Sequence, residues 1–216
     1  MTSADSYAKK AAQAITAINP RFEPVIQISG LCTIGVTRGK SRARESNFSS
    51  LASSILSQQL STKAAATIIG RVAELSGGTL RAEKLAEMRV SQLRSAGCSE
   101  AKARAIKELA RAAVDKKIPI TSLQRLSDEE IMEHLLPLFG IGRWTVEMFM
   151  MFQLGRLDVW PTGDLAVRRG WDMIHGSKEE TSAKALDIKG EKLRPYRSVF
   201  AWYCYQAVHE SRGLDY

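Results

Sequence analysis

The sequence predicts an all-α fold. Apolar residues recur at helical spacing in its longer segments, as in Ala8, Ala11, Ala12, Ile15 and Ile18. Helix-start signals stand before several of them: Ser61, Ser99 and Ser127, the last followed three residues later by Glu130 in a capping-box pattern. No segment makes a convincing sheet, and no repeat or low-complexity tract interrupts the chain.

The elements follow in order. Residues 5–19 form a first helix, ended by Asn19-Pro20, and Phe22 to Ile28 a second, stopped at Gly30. Leu31 to Val36 is a short apolar run that suits either strand or helix. The basic loop Arg38 to Arg44 fits a solvated charged loop better than a track for phosphates. Asn47 to Gln59 reads as a helix burying Phe48, Leu51, Ile55 and Leu56. It runs into Ser57-Gln58-Gln59-Leu60-Ser61, where buried glutamines would satisfy backbone groups at a helix junction. Thr62 to Leu75 follows, closed by Gly77-Gly78. Arg81 to Leu93 holds one or two short helices. Glu100 to Lys117, capped by Ser99, is strongly periodic. From Ala101 to Lys117 it carries six Lys or Arg against two acids, a bias that fits a solvated face as well as a polyanion. Ile118 to Thr121 is a connector around Pro119. Residues 176–187 form a loop with a short helix. Pro195 to Glu210 is the last helix and holds Tyr196, Phe200, Trp202, Tyr203 and Tyr205.

The most informative stretch is Leu135 to Val146, centred on Gly140-Ile141-Gly142. A helix from the Ser127 cap runs into Pro137, and Trp144 to Phe152 reads as a second helix. Two helices joined by a glycine-bounded turn make a helix-hairpin-helix. Glycines there allow positive φ and close approach of another backbone. The turn also frees N–H groups at the start of the second helix, which suit a phosphate. Taken alone, the pattern fits an ordinary αα-hairpin better, since short glycine patterns are common. Twenty residues after Trp144 stands Asp164, preceded by Trp160-Pro161-Thr162-Gly163 and followed by the helical Leu165-Ala166-Val167. It is placed as an N-cap, where backbone N–H groups and the helix dipole favour a negative charge.

The 216 residues are 44% hydrophobic and 25% charged, enough for a sizeable core in one domain or two intimate lobes. The formal net charge of +8 favours a polyanionic partner. Cys32, Cys98 and Cys204 are scattered and form neither a CxxC pair nor a zinc pattern, which fits reduced thiols. No apolar run approaches the roughly 18 residues of a membrane helix, and the N-terminus has no signal-peptide layout, so an intracellular protein is expected.

Several ordered segments resemble the helix-hairpin-helix DNA glycosylase superfamily, in particular its alkylbase or 3-methyladenine glycosylase II branch. They are Phe48-x-x-Leu51 leading to Ile55-Leu56-Ser57-Gln58-Gln59-Leu60-Ser61, then Ala64-Ala65, then Leu93-Arg94-x-x-Gly97-x-Ser99-x-x-Lys102-Ala103. The hairpin, Asp164 and Arg194-Pro195-Tyr196-Arg197-Ser198 complete the set. The resemblance runs from about Pro20 to His209. It implies two helical lobes with a central cleft, one of about residues 45–155, the other of 1–44 with 156–216. The resemblance is to the compact form, so no N-terminal β-domain like that of larger members is expected.

The implied activity is excision of alkylated purines such as 3-methyladenine or 7-methylguanine from damaged double-stranded DNA, by a monomer, in base excision repair. Asp164 would be the catalytic carboxylate. Gln59 would fill the gap left by a flipped base. Trp144, Tyr205 and Trp202 are the pocket candidates. Gly140, Gly142, Trp144 and Thr145 would hold a phosphate, and the carbonyls of Leu136, Phe139 and Ile141 a monovalent cation. Members that also nick DNA carry a lysine where this chain has Trp144, so no Schiff base is expected. Others hold an iron–sulfur cluster on four cysteines near the C-terminus. Only Cys204 lies there, and no cluster is expected. A non-catalytic DNA-sensing module and a glycosylase for another lesion are the alternatives.

Overall fold

The computed structural model describes residues 3–35 and 45–211; the basic stretch from Arg38 to Arg44 lies outside them. All regular structure among the described residues is helical. The chain divides into two compact units, one of residues 41–149 and one of residues 1–40 with 150–216.

The second of these units begins with α1 (Ser3–Ile18) and α2 (Glu23–Ser29), the latter reached through a 3₁₀ turn at Pro20–Phe22 and ended by Gly30 at φ +75°. The other unit holds α3 (Asn47–Ser57), α4 (Thr62–Leu75), α5 (Ala82–Glu87), α6 (Val90–Ser95), α7 (Glu100–Val114), α8 (Asp128–Leu135) and α9 (Arg143–Met148). Serine caps start four of these helices. The Oγ atoms of Ser46, Ser61, Ser99 and Ser127 each accept from a backbone N–H three residues on. Each such cap contributes about 1 kcal/mol. The core is aliphatic: Leu51, Ile55, Leu56, Leu85, Leu93, Ile106, Leu109, Ile131 and Leu135 are all fully buried, each worth roughly 1.5–3 kcal/mol.

Several boundaries differ from the sequence reading. Helix α3 ends at Ser57, so Gln59 lies outside it. Helix α7 ends at Val114 rather than Lys117. Lys116 turns to φ +57°, and the N–H groups of Lys116 and Lys117 close on Ala113 O and Ala112 O, a Schellman stop built without glycine. The second hairpin helix starts at Arg143, and after Met148 it widens into a π-helical turn, Phe149–Gln153.

The remaining elements are α10 (Leu165–His175), α11 (Ala183–Gly190) and α12 (Arg197–Ser211). They complete the unit that begins with α1 and α2. Helices α10 and α12 touch through Gly170, where a Cβ would come within 2.0 Å of Cys204 O. Phe22 is fully buried beside them, with its ring against Trp171, His175 and Phe200.

Candidate active site

The hairpin is seated on α7. Ser127 and Glu130 make the expected reciprocal capping box at the start of α8, with Ser127 N–H donating to Glu130 Oε2 at 2.7 Å. After α8 the chain tightens: Leu138 N–H donates to Leu135 O, and Ile141 N–H to Leu138 O. Gly140 has φ +80°, and a Cβ there would lie 2.5 Å from Ala105 Cβ on α7. Glycine is required at this point by both conformation and contact. Glu108 of α7 accepts from Phe139 N–H at 2.9 Å, and the Arg104 guanidinium lies 5.0 Å from the centre of the Phe139 ring.

Gly142 starts α9 with no side-chain cap, and the direction of its absent Cβ is open. Trp144, one residue into the helix, is 47% exposed. Thr145 is buried. Its hydroxyl accepts from Gln58 Nε2 at 3.3 Å, and the same amide nitrogen donates to Gly140 O at 3.1 Å. The Thr145 side chain, expected at a phosphate, thus faces the glutamine turn. Ser54, Gln58, Gln59, Gly140, Gly142 and Trp144 are among the walls of a pocket of about 860 Å³. Of the two glutamines only Gln58 serves backbone groups as expected. Gln59 is exposed and sits at φ +59°.

Asp164 belongs to the other unit. The chain reaches it along a braced approach. Ser198 Oγ accepts from Val159 N–H and donates to Val159 O. Trp160 Nε1–H donates to Leu186 O, with its ring pressed on Gly190. Asp164 N–H then donates to Pro161 O. The carboxylate caps α10: Oδ1 accepts from Ala166 N–H at 2.7 Å, and Oδ2 accepts from the Tyr205 hydroxyl at 2.8 Å. Tyr205 also lies 6.3 Å, ring to ring, from Phe152. Of the aromatic residues proposed for a pocket, Tyr205 is therefore at the carboxylate. Trp202 is half-buried, and its ring meets that of Tyr203 edge to face.

Sequence reasoning missed the residues that act at a distance. Lys102 belongs by pattern to a basic face, yet its Nζ donates to Leu56 O and Gln58 O. Lys107 likewise donates to Met88 O. Burial draws both ammonium groups below their ordinary range. Asp158 is held by Arg194 (2.6 Å) and Arg197 (2.8 Å), which gives the Arg194–Ser198 motif its structural purpose beside the Asp164 approach. The three cysteines are buried. Burial pushes the Cys32 thiol up to about 12 and raises those of Cys98 and Cys204 as well.

This helical fold, with its glycine-bounded hairpin, is that of a class of DNA-repair protein. The chain belongs to the HhH-GPD superfamily of base excision DNA repair proteins, whose pattern matches residues 52–195. Within it, the chain is 34% identical over 180 residues to DNA-3-methyladenine glycosylase 1 of Schizosaccharomyces pombe, covering 82% of this chain and 78% of that protein. The solved S. pombe 3-methyladenine DNA glycosylase in complex with abasic DNA superposes with a TM-score of 0.80 at 30% identity, over 96% of this chain and 98% of that one. A DNA-3-methyladenine glycosidase from Bacillus halodurans gives the same score at 35% identity, over 94% and 91%.

Proposed function

We propose that this protein is a monofunctional DNA glycosylase of base excision repair that hydrolyses the N-glycosidic bond of alkylated purines in double-stranded DNA, acting as a monomer. The observation that carries the reading is Asp164, a carboxylate whose two oxygens are oriented by Ala166 N–H and the Tyr205 hydroxyl before any substrate arrives.

Alkylation of a purine ring nitrogen makes the base positively charged and a good leaving group. The bond between C1′ and the ring nitrogen breaks with its electron pair going to the base, and the sugar becomes oxocarbenium-like. A fixed carboxylate stabilises that charge and can take a proton from the attacking water as its oxygen bonds to C1′. No second carboxylate is needed, because the leaving base already carries the charge that a general acid would otherwise supply.

The base must first leave the duplex. Gln59 is the residue proposed to fill the gap. The Trp144 indole and the Tyr205 phenol are, each taken by itself, electron-rich rings suited to stacking on an electron-poor base. The hairpin backbone from Gly140 to Thr145, with the unoccluded side of Gly142, is the proposed phosphate grip. Among the described residues, no backbone N–H outside the helices donates to the carbonyls of Leu136, Phe139 and Ile141. These neutral, hard oxygens fit a monovalent cation, which would support the hairpin and take no part in bond breaking. With an indole at position 144 there is no amine to attack the sugar, so strand nicking is not part of the activity.

The test is release of free base from methylated duplex DNA by the wild type and by Asp164→Asn. Asparagine can still cap α10, so DNA binding is retained while turnover falls by roughly 10²–10³-fold, as for other lost electrostatic stabilisers. Binding without base release by the wild type would move the protein to a sensing role. A covalent adduct trapped by borohydride would refute the monofunctional assignment.

A further inference from the structure

The segment Ser57 to Leu60 is a tight turn, closed by Leu60 N–H donating to Ser57 O at 3.2 Å. Gln58 has φ −49° and ψ 130°, and Gln59 has φ +59°. These are the angles of a type II turn, whose third residue is ordinarily glycine. A glutamine there is strained, because its Cβ crowds the backbone in the left-handed region. The neighbouring alternative is a type I turn, which suits any L-residue. The two forms differ mainly in which way the central peptide, and hence the Gln58 carbonyl, points.

That carbonyl is held. Lys102 Nζ donates to Gln58 O at 2.7 Å and to Leu56 O at 2.8 Å. Both oxygens lie at the C-terminus of α3, where carbonyls lack intrahelical partners and a cation is favoured by the helix dipole. Lys102 is itself placed by the start of α7, its N–H facing the capping Ser99 Oγ. On the other side of the turn, the Gln58 side chain bonds Gly140 O and the Thr145 hydroxyl. The glutamine turn is thus gripped from α7 and tied to the hairpin, while Gln59 at its tip remains exposed.

We propose that Lys102 is a positioning residue that locks the Ser57–Leu60 turn in its type II form and so aims Gln59 at the gap left by a flipped base. The proposal rests on the glycosylase reading, which supplies that gap. Lys102 touches no substrate and acts through the direction of one peptide plane. Without it, the Gln58–Gln59 peptide relaxes toward type I and the Gln59 side chain swings away from its working direction.

The experiment compares wild type, Lys102→Met, Lys102→Arg, Gln59→Ala and the Lys102→Met/Gln59→Ala double variant. Release of methylated purine is measured from duplex DNA and from methylated single strands, which need no plug. Lys102→Met should lose roughly tenfold on the duplex, the factor that one residue's left-handed penalty is worth. It should stay near wild type on the single strand. Lys102→Arg, whose guanidinium can span both carbonyls, should recover most of the loss. The double variant should be no worse than Gln59→Ala alone, because both changes act through the same side chain. Equal losses on both substrates, or additive losses in the double variant, overturn the proposal. A crystal structure of Lys102→Met tests the lock without reference to rates: Gln59 φ should become negative, and a φ still near +59° overturns the lock. Should Lys102→Met not fold, Lys102→Gln, which keeps one amide donor, serves in the same assays. A wild type that releases no base from either DNA sinks the glycosylase reading instead, and the Gln59 φ in the variant then still decides the turn.

Discussion

Replacing Gly140 by alanine tests how the hairpin is seated. Two costs are expected, and they are separable. The first is conformational: an L-residue at φ +80° bears a left-handed penalty of about 1–2 kcal/mol. The second is steric. The new methyl would stand 2.5 Å from Ala105 Cβ, against an ordinary carbon–carbon contact of about 3.5–4.0 Å. Hairpin and α7 must therefore separate by about 1 Å, and overpacking of this kind costs about 1–3 kcal/mol. The Gly140→Ala loss is then roughly 2–5 kcal/mol in urea unfolding. Ala105→Gly alone should cost about 1 kcal/mol, as glycine does within a helix. Combined with Gly140→Ala, it removes the clashing methyl and leaves the conformational cost together with the helix cost of Ala105→Gly. A favourable coupling of about 1–3 kcal/mol should appear in the double-mutant cycle. Affinity for abasic duplex DNA should fall in the single variant and recover in the double. A Gly140→Ala protein within about 0.5 kcal/mol of wild type, or a cycle without coupling, would refute the reasoning.

Two further outcomes are expected. Tyr205→Phe deletes the 2.8 Å hydrogen bond to Asp164 Oδ2 while keeping the ring; base release should slow by about 2–10-fold, the worth of one hydrogen bond, and an unchanged rate would mean that the phenol does not orient the carboxylate. His175 is held neutral, with Nδ1–H donating to Trp171 O and Nε2 accepting from Asn19 Nδ2, and burial above all lowers its pKa. The unfolded chain, titrating near pH 6.5, binds more protons than the folded one just below that pH. Stability from this site is thus present above about pH 6.5 and lost as pH falls through the lowered folded value. Melting temperatures from about pH 7.5 down to about pH 5 should show this fall, and His175→Gln should flatten it; equal slopes would exclude His175 as the source.

Much of the secondary structure was legible because its causes are local. A serine cap, a capping box or a 3.6-residue apolar period acts within a few residues, so the Ser61, Ser99 and Ser127 starts and the capping Asp164 could be read directly from the chain. The Gly140-Ile141-Gly142 turn was legible for the same reason. Only the tertiary structure decided why Gly140 cannot be another residue, since Ala105 lies 35 positions away. It likewise turned the basic face of α7 into specific holds, with Lys102 on Leu56 and Gln58 and Lys107 on Met88. It also brought Tyr205 into a hydrogen bond with Asp164, across 41 residues. Periodicity places a charged side chain on a helix face but carries no information about which distant carbonyl or carboxylate meets it. That pairing exists only once the apolar faces have packed and brought the two groups to hydrogen-bond distance.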